Sequence, residues 1–282
     1  MIKSFFTIIF FFGLSSSAQQ KGISIADKII SISGRKLEIN ADGFPKQIQS
    51  FYDWQFNAFG FKPTNLLYEP IHFHFFTSPK TQEKLVVGTF NLLSEGKDSI
   101  IWEATSSSAN VSQYVKAKMI GNGLINYHVN LRALKDVSLS TINFHIPFEK
   151  GVSKYLMGLG NKANLRPDTV KWCWEMVDEV NPEVLIGNDN AALYFDINQH
   201  KTLEILHIKN GWLNGMMQIN IKGSSMLTEF STGAVALKAG NELAFDFNLL
   251  LLPMNRKDGR RSLEKRFQAC KDLIADGKKP KL

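Results

Sequence analysis

Residues 242–251 read ELAFDFNLLL. Leu243, Phe245, Phe247, Leu249 and Leu251 alternate with Glu242, Ala244, Asp246 and Asn248. Successive side chains of an extended chain point to opposite faces, so this period of two marks a strand with one face in a core. The stretch from Val137 to Pro147 repeats the pattern. Ile142, Phe144 and Ile146 share one face, and Thr141, Asn143 and His145 the other. Further strands are expected at 29–33, 36–40, 71–77, 85–93, 99–105, 184–197, 202–209, 216–222, 227–231 and 234–238.

One hairpin can be given a register. A two-residue Asn122-Gly123 turn sets Met119 opposite Asn126 and mixes the faces. A three-residue loop, Gly121-Asn122-Gly123, pairs Met119 with Ile125, Ala117 with Tyr127 and Val115 with Val129. That keeps one apolar face and ends the loop on a left-handed glycine. The second register is expected.

A single segment reads as a helix. After Ser262 as N-cap, Leu263, Phe267, Cys270 and Ile274 fall on one face, Lys and Arg fill the other, and Gly277 can end it. Asp258-Gly259 reads as the break before it, and 278–282 as a basic tail. Many strands with one terminal helix predict an all-β chain: a large antiparallel β-sandwich of the supersandwich type with a short C-terminal helix. The expected division is a leader at 1–18, the sandwich at 19–256, and helix and tail at 257–282.

The chain has 282 residues, is 44% hydrophobic and 21% charged, and carries a formal charge of +7. That composition excludes disordered, collagen-like and multi-span membrane chains. Lys3, the apolar run Phe5–Leu14 and the small residues Ser16-Ser17-Ala18 make a signal peptide cleaved after Ala18. Ten apolar residues are too few to span roughly 30 Å of hydrocarbon as a helix. No membrane span therefore remains after cleavage, and the expected location is periplasmic or secreted. Loss of Lys3 lowers the charge to +6. The basic residues are spread along the chain, which gives no reason to expect nucleic acid. Cys173 and Cys270 are expected as two separate buried thiols, since neither has a neighbouring pattern for catalysis or zinc.

The densest unusual stretch runs from Tyr155 to Ala192. Gly158 and Gly160 fail the dinucleotide pattern because Ala163 takes the third glycine position, so a glycine turn is expected. Trp172 and Trp174 share a face if their segment is a strand. An indole face can stack on the C–H side of a sugar while Arg, Lys and Asp bond its hydroxyls. The candidate carbohydrate-binding residues are Arg166, Lys171, Trp172, Trp174, Asp189 and Trp212. His72 and His74 form an H-x-H on one strand face. With no third ligand near and His128 and His145 on other strands, no metal site is assigned, and no cofactor is expected.

The order LEINADGFPKQIQSF (37–51), YLMGLGNKANLRP (155–167), KWCWEM (171–176), LIGNDNAALYF (185–195), then GWLNG to FNLLLLP, resembles the N-terminal β-sandwich domain of glycoside hydrolase family 123 and related exported glycosidase-like proteins of Bacteroidetes-type bacteria. The family's aspartate in the G-D-x-N-A-G segment is displaced here to Asp189. The resemblance implies a sandwich preceding a catalytic barrel whose Asp and Glu support hydrolysis assisted by the substrate's acetamido group. It also implies that the chain stops where the barrel begins, so that no catalytic residue is assigned and no activity of its own is expected. The expected function is a glycan-binding or scaffolding accessory domain. The alternatives are a split module docking on a separately encoded glycosidase catalytic domain through its helix, and an epimerase- or lyase-like enzyme.

Overall fold

A computed structural model of the chain describes residues 22–173, 183–197, 208–213, 218–222 and 227–278. Strand Glu242–Leu252 lies in the middle of a ten-stranded sheet, between Ala192–Ile197 and Leu124–Ala133. The apolar face of this strand packs on a six-stranded sheet in which Thr141–Pro147 pairs with His72–Ser78 and Leu227–Ser231. Phe144 joins the two layers, its ring centroid 4.9 Å from Phe247 and 5.8 Å from Phe195. These two layers give the expected all-β sandwich.

A third sheet, of five strands from Ser24–Ala26 to Ala58–Asn65, shares the core of the sandwich and is also tied to it by a buried cation. The buried Arg35 guanidinium donates to the carbonyls of Leu251 at 2.6 Å and Asn122 at 2.9 Å. Burial lowers its pKa to about 10, against the opposing pull of Asp258.

The hairpin register is the one expected: Met119 opposite Ile125, Ala117 opposite Tyr127, Val115 opposite Val129. Gly123 has φ +95°, a conformation that residues with a Cβ rarely adopt. Gly158 and Gly160 do form a turn, between strands Tyr155–Gly158 and Asn161–Leu165.

Several expectations are corrected. The segment 184–197 is two strands, Glu183–Gly187 and Ala192–Ile197, because Asn188 Oδ1 accepts the N–H groups of Asn190 and Ala191 and turns the chain. Val137–Pro147 breaks at Ser140 into strands of different sheets. Asp258 and Gly259 are not a plain break but part of a helical turn, Arg256–Gly259, with an Asn255/Asp258 capping box.

The terminal helix, Leu263–Lys278, runs past Gly277. Phe267, Cys270 and Ile274 pack on Leu124, Leu185, Tyr194, Leu250 and Leu252, the outer face of the ten-stranded sheet. That cover explains why Leu249 to Leu252 are all buried and the alternation stops at Asn248. Cys270 is free and buried, and burial pushes its thiol pKa up. Arg266 does not join the solvated face: it is buried and its Nη1 donates to the Asn188 carbonyl at 3.1 Å. Among the described residues no helix is long and apolar enough to cross a membrane.

Candidate functional site

Two places on the described surface gather chemistry. The first is a cleft of about 530 Å³ between the Asp53–Ala58 hairpin, the loop at Gly151–Lys154 and the Asn188–Asn190 turn. Its shape follows from that turn. The Asn188 amide donates to the Gly151 carbonyl at 3.1 Å, and Asn190 Oδ1 accepts the backbone N–H of Trp54 at 2.9 Å. The Asn190 carbonyl also takes the Ser50 hydroxyl at 2.7 Å. Trp54 is thereby fixed at its backbone while its side chain stays 50% exposed. Asp53, Gln55, Lys62, Lys154 and Asp189 supply charged and amide groups around it. The volume is within the usual range for small-ligand sites, roughly 300–1,000 Å³. A larger cleft, of about 860 Å³, lies beside Arg35, Lys36 and Phe51 and contains none of the residues singled out in the sequence.

Of those residues, Asp189 lines the smaller cleft. Arg166 lies next to it in contact but not in lining. Its Nε donates to the Ser153 carbonyl at 3.0 Å and its Nη1 to Pro167 at 2.8 Å. Trp212 is a correction. It is 1% exposed, its Nε1 donates to the Asp246 carbonyl at 2.8 Å, and Phe73, Phe144, Phe230, Phe245 and Phe247 surround its ring. No sugar can reach that face. Lys171 and Trp172 lie in strand Thr169–Cys173, where the backbone pairs Lys171 with Asn220 and Trp172 with Ile219. Trp174 and the acids Glu175, Asp178 and Glu179 lie outside the described residues.

Trp54 was not among the sequence candidates. Its signal is the run Tyr52-Asp53-Trp54-Gln55-Phe56-Asn57, in which aromatic residues alternate with turn-forming polar ones. Large aromatic side chains in such a tip have no second layer to pack on. Phe56, in the same tip, is exposed as well.

The second place is the outer face of the six-stranded sheet. Register puts His72 directly opposite His145, and His145 opposite Glu229. His72 Nε2 is 3.1 Å from His145 Nδ1, and His145 Nε2 is 2.8 Å from Glu229 Oε2. His72 Nδ1 is 2.7 Å from the Pro70 carbonyl. His74 packs against both other rings, with centroids at 4.4 and 4.8 Å. Burial, reinforced by the like-charged neighbours His72 and His145, lowers the pKa of His74 to about 4. Burial lowers that of His72 too. The sequence reading placed His145 on another strand and found no third histidine beside His72 and His74. The strand is indeed another, but it is the hydrogen-bonded neighbour.

The family model described as glycoside hydrolase 123, third domain, matches residues 23–253. The expected family is the one found, although the matching unit is described as the third domain where the resemblance had implied an N-terminal one. No curated protein matches the chain. Among solved structures, a galactose mutarotase related enzyme from Lactobacillus acidophilus is 9% identical, with 83% of this chain and 97% of that one covered at a TM-score of 0.42. Heparan sulfate lyase from Pedobacter heparinus is 8% identical, with 79% and 33% covered at 0.40. The 4-alpha-glucanotransferase from Thermococcus litoralis is 6% identical, with 81% and 37% covered at 0.40. Scores this low carry no argument about what the chain does. The match to the family model extends over most of the sequence, from the first described strand to the end of Glu242–Leu252. The chain belongs to the glycoside hydrolase 123 third-domain family.

Proposed function

We propose that this chain is an exported glycan-binding accessory domain and that the cleft beneath Trp54 holds the sugar. Export rests on the leader read at residues 1–18. The observation that carries the binding assignment is the half-exposed indole of Trp54 held over a cleft bearing Asp53, Gln55, Lys154 and Asp189. An aromatic face with convergent hydrogen-bonding groups suits a ring that is apolar on one side and hydroxylated at its edge. Membership of a glycoside hydrolase family supports the same reading.

Docking on a separate catalytic barrel through the terminal helix has less support. Of the apolar residues expected to make that contact, Leu263, Phe267 and Ile274, the last two are buried on the sandwich itself and Leu263 is partly buried against it. An epimerase- or lyase-like activity would draw on the His145–Glu229 pair. Yet Glu229 Oε2 also accepts the Asn143 amide at 3.2 Å, an arrangement that orients the imidazole rather than frees the carboxylate.

The test is binding of the full chain to an array of glycans containing N-acetylhexosamines, followed by affinity electrophoresis on the best of them. Retention of wild type and its loss in Trp54→Ala is the expected result. Absence of retention, or equal retention by Trp54→Ala and Asp189→Ala, overturns the reading.

A further inference from the structure

We propose that His72, His74 and His145 bind a first-row transition-metal dication of the Zn²⁺ type, oriented by Glu229 and the Pro70 carbonyl. One nitrogen from each ring lies within 4.8 Å of the others, which makes this a group of three donors of one chemical kind on one sheet face. Two donors bound at 2.0–2.1 Å to a tetrahedral Zn²⁺ sit roughly 3.3 Å apart. His72 Nε2 and His145 Nδ1 are already at 3.1 Å, so this pair needs a shift of only a few tenths of an ångström, while the His74 nitrogen, within 4.8 Å of the others, closes on the ion by rotation of its ring.

The outer contacts follow the pattern that metal-bound imidazoles require. Each ligating ring commonly donates its second N–H to a carboxylate or a backbone carbonyl, which fixes the tautomer and aims the lone pair. His145 has Glu229 at 2.8 Å on its second nitrogen, and His72 has the Pro70 carbonyl at 2.7 Å. In both rings the nitrogen left over is the one that faces the cluster. Thr141 and Asn143 extend the scaffold: the Thr141 hydroxyl donates to Asn143 Oδ1, and the Asn143 amide donates to Glu229. Imidazole donors select Zn²⁺, Cu²⁺ or Ni²⁺ over Mg²⁺ and Ca²⁺, which want oxygen. Three protein ligands leave the fourth position to water or an oxygen of a bound molecule. His72 and His74 are half-buried rather than sealed, so an ion can enter from the face.

The rival account is a purely structural trio in which His72 and His145 share a proton and His74 stacks on them. Isothermal titration of the untagged, chelator-treated full chain with zinc, magnesium and calcium salts separates the two. Expected are one Zn²⁺ per chain, no binding of Mg²⁺ or Ca²⁺, and a visible tetrahedral absorption band when Co²⁺ replaces zinc. His74→Gln, which keeps the size and polarity of the ring, is expected to weaken zinc at least about 100-fold and to abolish the zinc-induced rise in melting temperature. Glu229→Gln is expected to weaken zinc about 10- to 100-fold with the stoichiometry unchanged. No zinc binding by wild type overturns the proposal. So does zinc binding that is undiminished in His74→Gln, provided circular dichroism shows that variant folded. Sugar mutarotation by the metal-free chain that Glu229→Gln abolishes overturns it as well, because the cluster then works by acid and base.

Discussion

Trp54 and Trp212 are the same side chain in opposite circumstances. Trp212 is enclosed by phenylalanines from both sheets and spends its one donor on a backbone carbonyl. Trp54 is anchored through its backbone, its N–H on Asn190 and its carbonyl on the Asn57 N–H, and leaves its ring half exposed. In the first, the indole is a structural member whose removal leaves a cavity. In the second, holding the ring in water gains little for the fold, and the Asn188–Asn190 turn still keeps it in place. The contrast is between a ring that the protein uses up and one that it holds available.

The contrast can be broken at several points. The largest effect is expected for Trp212→Ala, a loss of about 3–5 kcal/mol in denaturant unfolding from the cavity among Phe144, Phe230 and Phe245. Glycan binding by the fraction that remains folded is expected to match wild type. An effect on binding without one on stability would reverse the roles assigned here. Next comes Asn190→Ala, which removes the acceptor for the Trp54 N–H. A cost of about 1 kcal/mol is expected, together with weaker glycan binding, because the hairpin tip loses its tether. Unaltered binding in this variant would mean that the tether does not position the ring.

The pH dependence is set by two histidine environments. His128 stands on the strand that pairs with Glu242–Leu252, and its hydrogen bond to Asp246 raises its pKa above 6.5. The carboxylate of Asp246 thus serves His128 at the surface while its carbonyl serves Trp212 in the core. A raised folded-state pKa gives stability that is present in full below pH 6.5 and is lost as pH rises through the higher value. With its ring about half exposed, His128 is expected to contribute less than about 1 kcal/mol. His74 acts in the other direction. Its folded-state pKa of about 4 against 6.5 in the unfolded chain removes stability as pH falls from 6.5 to about 4. Melting curves from pH 4 to 8 for Asp246→Asn and His74→Gln should lose the alkaline and the acidic dependence respectively. The least change in stability, under about 0.5 kcal/mol, is expected for Trp54→Ala, because its ring is half exposed at a hairpin tip. A loss of several kcal/mol there would make Trp54 a second structural tryptophan.

These two residues also mark how far the sequence alone carried. Where one face is buried, alternation is dictated by the pleat. Strand Glu242–Leu252 and the Gly121–Gly123 hairpin were therefore legible, down to the Met119–Ile125 pair. Once a second layer arrives, the pattern stops reporting one face. The helix buries Leu250 and Leu252 on the outer face while Leu249 and Leu251 face the core, so four consecutive leucines are buried, and this depends on where a distant segment docks. Long-range register was equally hidden. His72 and His145 are 73 residues apart, and a one-residue slip would have sent His145 to the core face. Tryptophans suffer most, since an indole in a sequence is neither core nor platform until its neighbours are known. Asp189, singled out through the resemblance of its segment to the family's G-D-x-N-A-G, lines the cleft beside Trp54. Trp212, flanked by Gly211 and Leu213, gave no sign of its burial.

The central claim is that the ring of Trp54 meets the sugar. Indole N–H resonances of the ¹⁵N-tryptophan-labelled chain, followed while the best-retained glycan is titrated in, test it residue by residue once Trp54→Phe has assigned the peak. The account predicts that the Trp54 resonance shifts in a saturable way while those of the buried Trp102 and Trp212 stay where they are. A stationary Trp54 resonance under saturating glycan would contradict it.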